Sequence, residues 1–306
     1  FDDAAAGTGR DPPHRPGGDR SARGARPRAR QWTRAELTGG HPPGVARVCG
    51  KPPSSRRDPG RDGGDPPRRG RAGEFFPEPL PPPCEVTAMP TVVASSGTPP
   101  HYTPPRLDGG RSGTFWFNLE RPTAGTGWDL EVVAFHEGVP GHHLQLSRIQ
   151  MLDDLPPMQR QRSLAVFSEG WGLYAEQLAE EMDLYSGTEG LIGAVTASLH
   201  RAARLVVDTG LHQMGWSREQ ARQFLVDHVP MPEAFLASEI DRYIVMPGQA
   251  LSYLIGKREL LGLRDEAIGR LGPSFTVPGF HAAVLDSGSL PMPVLAGKIR
   301  RWSGSG

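Results

Sequence analysis

Cysteine is scarce: Cys49 and Cys84 are the only two in 306 residues, too few for a disulfide framework. Net charge is absent as well, with 34 basic residues against 34 acidic ones. The whole chain therefore carries no basic excess to hold a nucleic acid. No apolar run approaches the ~18–20 residues of a membrane-spanning helix. Neither nucleic acid nor membrane is expected as a partner, and nothing in the sequence fixes an oligomeric state. No apolar h-region follows the N-terminal charges, so no signal peptide is visible and a cytoplasmic location is the default expectation. The chain begins with Phe rather than Met, and its native start is expected to lie elsewhere. No internal repeat is found.

Proline and glycine, by contrast, are plentiful, and they are unevenly spread. Residues 1–72 are crowded with Arg, Pro and Gly, as in "RDPPHRPGGDRSARGARPRARQW". No helical or strand period is sustained there, and apolar residues are too sparse to offset the entropy of ordering. The segment reads as a disordered basic tail, as a nucleic-acid-binding arm, or as GC-rich DNA translated out of frame. Aromatics for base stacking are nearly absent, and the out-of-frame reading is favoured.

From Gly73 the composition becomes that of an ordinary folded chain. Residues 73–128 form an extended lead-in. It has a strand expected at Glu85–Val93 and a second aromatic run, "GTFWFNL", bounded by turn residues. Residues 129–306 read as a mainly α domain. Ser186 with Glu189, and Ser217 with Gln220, have the capping-box spacing. Pro232 suits a first helical turn, and a glycine cap is expected after "AIGRLG".

The chemistry concentrates in "HEGVPGHHLQ" (136–145). In the zinc-protease pattern H-E-x-x-H, two imidazoles one helical turn apart bind zinc, and the adjacent glutamate moves protons. Here His136 and Glu137 open the pattern, but the next histidines fall at i+6 and i+7. On a straight helix, at about 100° per residue, i+7 returns to the starting face, which favours His143. It also lies about 10 Å along the axis, too far to share an ion bound at about 2.1 Å. The helix must therefore break if both histidines are to bind. Pro140 and Gly141 supply the means, and a bulge there would bring His142 toward His136. The third ligand is expected from "SEGWGLYAE": Glu169, with Glu176 as the alternative.

The blocks "AFHEGVPGHHLQ", "FSEGWGLYAE", "RAARLVVDTGLHQMGWSREQA" and "RYIVMPGQALSYLIGKREL", with the lead-in "PPRLDGGRSGTFWFNL", resemble the bacterial family known as domain of unknown function 885. The likeness covers roughly residues 74–302. Members are regarded as zinc metallopeptidases similar to the helical gluzincins of the thimet-oligopeptidase and Taq-carboxypeptidase type. The resemblance implies a gluzincin-like C-terminal half with a short β lead-in, from a family whose longer chains add a helical N-terminal half. Dipeptidyl peptidase III carries H-E-x-x-G-H, and beside it "HEGVPGH" looks like a further insertion before the same Gly-His pair. This implies that His142, rather than His143, joins His136 and Glu169 on zinc, with Glu137 as general base and acid.

An oxyanion donor is also needed. Tyr243 and Tyr253 flank "MPGQALS", and the resemblance favours Tyr253. His143 is expected to support a ligand or face substrate. Arg204, Asp208 and His212 share one helix face; they make either a structural Arg–Asp brace or a support for ligand or substrate. Lys257 is a candidate for a substrate carboxylate, and "GTFWFNL", with Asn118, for an edge strand that pairs with a peptide. The expected activity is zinc-dependent hydrolysis of short peptides. The alternatives are an inactive helical remnant and another zinc hydrolase, an amidase or esterase.

Overall fold

The computed structural model describes residues 72–96, 98–118, 129–161 and 163–304. The expectations for residues 1–71 lie outside the described residues.

The lead-in is a three-stranded sheet edged by short helices. After α1 (Ala72–Phe75) comes β1 (Glu85–Ala88), then α2 (Thr91–Ser95), β2 (His101–Thr103) and β3 (Thr114–Phe117). The strand order is β1-β3-β2, with β1 parallel and β2 antiparallel to β3. Alternation along β3 turns Phe115 and Phe117 into a core that also holds Phe135 and Ala134. Trp116 points to the other face, where its indole N–H donates to Thr103 Oγ1 at 2.9 Å.

Two sequence expectations change here. The strand expected at Glu85–Val93 stops at Ala88, because Pro90 cannot donate to a ladder and instead leads into α2. The "GTFWF" run is the central strand, paired on both sides. It has no free edge for a peptide, and among the described strands β1 and β2 hold the edges. Asn118 is buried, and its amide donates to the carbonyls of Ala94 and Thr98, closing the lead-in on itself.

Among the described residues ten α-helices follow: α3 (Asp129–Glu137), α4 (His142–Gln150), α5 (Pro157–Gln161), α6 (Ala165–Glu181), α7 (Thr188–Gln213), α8 (Arg218–His228), α9 (Glu233–Val245), α10 (Ser252–Leu271), α11 (Val277–Leu285) and α12 (Met292–Ser303). The described part of the chain is thus mainly α with a small β lead-in. None of its helices is long and apolar enough to cross a membrane.

The caps follow sequence chemistry at some ends and not at others. Ser217 and Gln220 complete a capping box at α8, and Gly272, at φ 51°, ends α10. The Ser186–Glu189 box does not form. Gly187 is the N-cap of α7, and the Ser186 N–H is taken by the Glu131 carboxylate on α3.

The axis of the domain is the pairing of α6 with α10. A Cβ at Gly170 would lie 2.6 Å from the Gly256 Cα, and one at Gly256 would lie 2.1 Å from the Val166 carbonyl oxygen. Only two glycines let the backbones approach this closely. Around that seam Phe167, Trp171 and Tyr174 of α6 pack with Leu260, Phe280 and Leu295 in the largest core. A third core, with Val207, Leu225, Leu236 and Tyr243, joins α7, α8 and α9.

Candidate metal centre

The helix does break between the histidines. α3 ends at Glu137, residues 138–141 make a turn, and His142 begins α4. Gly141 is what lets the chain fold back. A Cβ there would lie 2.0 Å from the His136 carbonyl oxygen and 2.4 Å from that of Phe135, so no side chain fits. The turn brings the imidazoles of His136 and His142 together edge to face, with centroids 4.7 Å apart. Trp171 pins it from α6 by donating its indole N–H to the Pro140 carbonyl at 3.0 Å.

Glu169, on the first turns of α6, completes the group. Its Oε2 lies 3.4 Å from His136 Nε2 and 3.6 Å from His142 Nε2, and the three ligand atoms lie within 4.8 Å of one another. Two atoms each about 2.1 Å from one ion at tetrahedral angles are about 3.4 Å apart, so two of the three edges already have the spacing of a zinc site.

Both imidazoles are turned the right way by their other nitrogen. His136 Nδ1 meets Glu176 Oε1 at 2.7 Å in a buried pair, and His142 Nδ1 meets Gln145 Oε1 at 3.3 Å. With Nδ1 turned to these partners in each ring, both Nε2 atoms face Glu169. A carboxylate behind a histidine is the usual support of a metal ligand. Glu176 thus holds His136 in place, and Glu169 is the carboxylate that could complete a three-residue ligand set. Gln145 also takes the Ser168 hydroxyl at 3.2 Å.

Gly172 makes room for this arrangement. A Cβ there would lie 2.5 Å from His136 Cε1 and 2.7 Å from Nε2.

The electrostatics follow from the packing. Burial works against a charge on His136, but the carboxylates of Glu169 and Glu176 overcome it and push its pKa up to about 10. Burial likewise raises Glu169, yet the two imidazoles hold it well below the ordinary carboxylate range. The pocket therefore favours positive charge on His136 and negative charge on Glu169.

Glu137 is half-buried, and its Oε2 accepts the backbone N–H of Tyr102 on β2 at 2.9 Å. His143, next in sequence to His142, points elsewhere. Its Nδ1 accepts from the Tyr102 hydroxyl at 2.8 Å, and its Nε2 donates to the Pro82 carbonyl at 2.8 Å. Both nitrogens are spent on fixing the lead-in to α4, and burial pushes the ring's pKa down to about 4, so it is neutral.

Tyr253 lies beside the group, its ring stacked on that of His136 at 6.1 Å. Tyr243 does not join it. Its hydroxyl is buried between the Arg204 guanidinium at 3.0 Å and the Glu239 carboxylate at 3.0 Å, which takes both its donor and its acceptor capacity.

The expected Arg204–Asp208 brace is also redistributed. Arg204 pairs with Glu239 of α9. Both Asp208 carboxylate oxygens lie 3.1 Å from the Gly248 N–H, and His212 Nε2 donates to the Tyr243 carbonyl at 2.9 Å. All three position α9 and the following turn, and none of these bonds reaches the histidine pair. Lys257 faces Glu176, Glu180 and Glu181 of α6.

Sequence reasoning missed Tyr102, Gln145 and Gly172. Gln145 stands at i+3 from His142 and could have been found from helix spacing. Tyr102 reaches Glu137 through its backbone, which leaves no signal in residue type.

No curated protein matches the chain. Among solved structures, the chain is similar to a "putative lipoprotein from Colwellia psychrerythraea", with 36% identity over 78% of this chain and 41% of that one, at a TM-score of 0.74. It also shares its fold with a "putative lipoprotein of unknown function from Shewanella oneidensis", at 21% identity over 74% of this chain and 42% of that one, TM-score 0.61. The chain thus spans about two fifths of the length of both. The family model described as "Bacterial protein of unknown function (DUF885)" matches residues 69–299, and the chain belongs to that family.

Proposed function

We propose that this domain binds zinc and hydrolyses peptide bonds in short peptides, as a relative of the gluzincin peptidases. One observation carries the reading: Nε2 of His136 and of His142 and a carboxylate oxygen of Glu169 converge at 3.4 and 3.6 Å, with Glu176 behind His136. Zinc, when bound by these three residues, supplies Lewis acidity to the scissile carbonyl and acidity to a water.

The remaining work falls to the chain's own groups. Glu137 follows the first ligand directly and takes the proton of the attacking water. It then returns that proton to the leaving amine. Its carboxylate keeps its direction through the Tyr102 amide, and the second carboxylate oxygen is left for the water. The Tyr253 hydroxyl donates to the carbonyl oxygen as negative charge develops there. The Tyr253 ring, stacked on that of His136 at 6.1 Å, supports this role. Its hydroxyl has one protein neighbour among the described residues, the Gln249 amide at 3.4 Å, which donates and leaves the phenolic proton available.

The test is a zinc assay of the purified protein together with turnover of a short-peptide library by wild type and Glu137→Gln. The expected result is one zinc per chain in both. Turnover should fall by roughly 10²–10⁴-fold in the variant, the usual contribution of a general base. Protein that binds no zinc ends the reading.

The same test separates the first reading from a second. It is a helical domain that keeps the fold without catalysis. Zinc retained with no peptide turnover favours it, and turnover of amide or ester libraries alone points to another zinc hydrolase.

A further inference from the structure

Arg201 and Arg204 stand one turn apart on α7 and share a face. Both guanidinium groups lie over the ring of Tyr253, 5.0 and 4.7 Å from its centroid. That ring is the one stacked on His136 at 6.1 Å. Adding 5.0 or 4.7 Å to that 6.1 Å puts the Arg201 and Arg204 guanidinium groups each at most about 11 Å from the His136 imidazole.

The charges here do not cancel. Glu239 pairs with Arg204 and is shared with Arg242. Asp208, the acid on the same face of α7, is occupied by the Gly248 N–H. Arg201 has no carboxylate partner among the described residues. Its Nη1 instead meets Nδ1 of His200 at 3.3 Å. Burial holds His200 well below the ordinary imidazole range, so it is neutral and supplies no counter-charge.

Two arginines thus share one carboxylate, and Arg201 beside them has none among the described residues. Arg201 Nε and Arg204 Nη1 are buried donors without a hydrogen-bond partner. A buried guanidinium donor is costly without an acceptor and strong with an anionic one. Arg204 is buried, but Arg201 is only half-buried and open to a ligand.

We propose that Arg201, backed by Arg204, receives the free C-terminal carboxylate of the peptide substrate, so that the enzyme removes single residues as a carboxypeptidase. This rests on the hydrolase reading above and adds the substrate class. Spacing supports one residue rather than a longer leaving peptide. Adjacent Cα atoms are about 3.8 Å apart, so the carboxylate of a single leaving residue sits about 4 Å beyond the scissile carbonyl. A paired guanidinium carbon sits about another 4 Å away. With the carbonyl within a few ångströms of the ligand set, the reach is on the order of 10 Å, within the bound above. The step is a hydrolysis: the C–N bond breaks, the water oxygen joins the acyl carbon, and its proton leaves with the amine of the terminal amino acid.

The experiment uses the full chain and peptide pairs identical except for a free or an amidated C-terminus. With zinc loaded, kcat/KM should favour the free acid by roughly 30-fold, the scale of one charge-assisted pair. Arg201→Gln should collapse that preference, whereas Arg201→Lys should keep part of it. The ratio is the discriminating readout, because an arginine that merely braced Tyr253 would change both substrates equally and leave it untouched. Equal turnover of acid and amide, or a preference unchanged in Arg201→Gln, overturns the proposal while the hydrolase reading stands. Calorimetric titration of the zinc-free protein with a dipeptide and its amide gives a second readout that needs no turnover. Tighter binding of the acid, lost in Arg201→Gln, supports the carboxylate site even if no peptide is cleaved; equal binding overturns it.

Discussion

Gly172→Ala tests the candidate centre with a single methyl group. The added Cβ would lie 2.5, 2.7 and 2.9 Å from His136 Cε1, Nε2 and Nδ1. Ordinary carbon contacts are about 3.5–4.0 Å, so the imidazole must retreat by about 1 Å. Metal–ligand distances tolerate only about 0.2 Å. Retreat also stretches the 2.7 Å bond to Glu176, which lies one turn further along α6. A fall in zinc affinity of ~10–100-fold or more is therefore expected, comparable to losing a support of a metal ligand.

Stability should move much less. Overpacking costs about 1–3 kcal/mol, and alanine recovers about 1 kcal/mol over glycine inside a helix. The net loss is ~0–2 kcal/mol, so the variant folds and the metal effect can be read by itself. Gly262→Ala on α10 is the control, since a Cβ there meets nothing within 4 Å. It should gain up to about 1 kcal/mol and leave zinc binding unchanged. The assay is competition for zinc with a chromophoric chelator, paired with thermal unfolding with and without zinc. If Gly172→Ala binds zinc within twofold of the parent, the claim that His136 ligates from this position is refuted.

Three further outcomes are expected. Glu176→Gln removes the charge behind His136 and should lower zinc affinity by ~10–100-fold with the helical content intact, read by the same competition. Glu239→Gln leaves the buried Arg204 without its counter-charge and should cost about 3–5 kcal/mol in denaturant unfolding; a loss below 1 kcal/mol would show that Arg204 finds another partner. His281 is buried among aromatic rings with its pKa pushed down to about 3, mainly by burial. The unfolded chain takes up that proton near pH 6.5 and the folded one only near 3. Stability from this group should therefore fall as pH drops through that window, by up to about 1.4 kcal/mol per pH unit. His281→Gln should flatten the slope between pH 4 and 6 by one proton, and an unchanged slope would contradict a neutral His281.

Much of this was readable from residue order. The break in "HEGVPGHH" follows from helix geometry, because two imidazoles separated by nearly two turns cannot share one ion unless the chain folds back. Gly141 is the residue that permits it. The pairing of Glu169 with that group was readable as chemistry type, though its distance was not. What the sequence hid were choices among chemically equal partners. Arg204 had an acid at i+4 on its own helix and took Glu239 from α9 instead, while the equally buried Asp208 turned to the Gly248 N–H. Tyr243 and Tyr253 were indistinguishable by type. The third core captured the first, and the seam beside His136 received the second. Gly170 and Gly172 look alike in "EGWG", yet one serves the approach of two helices and the other the space of an imidazole. That difference exists only once α10 and α3 are in place.

The bond from the Tyr102 amide to Glu137 carries a consequence for how this site can change over time. Its donor is main chain, so nearly every substitution at position 102 keeps it; proline alone removes it outright. The Tyr102 phenol, which ties the strand to His143, can be lost or replaced at the cost of an ordinary hydrogen bond. The orientation of Glu137 is thereby insulated from drift in the side chains of the lead-in. The sheet that supplies it can diverge in sequence while the carboxylate it steadies stays aimed at the same point.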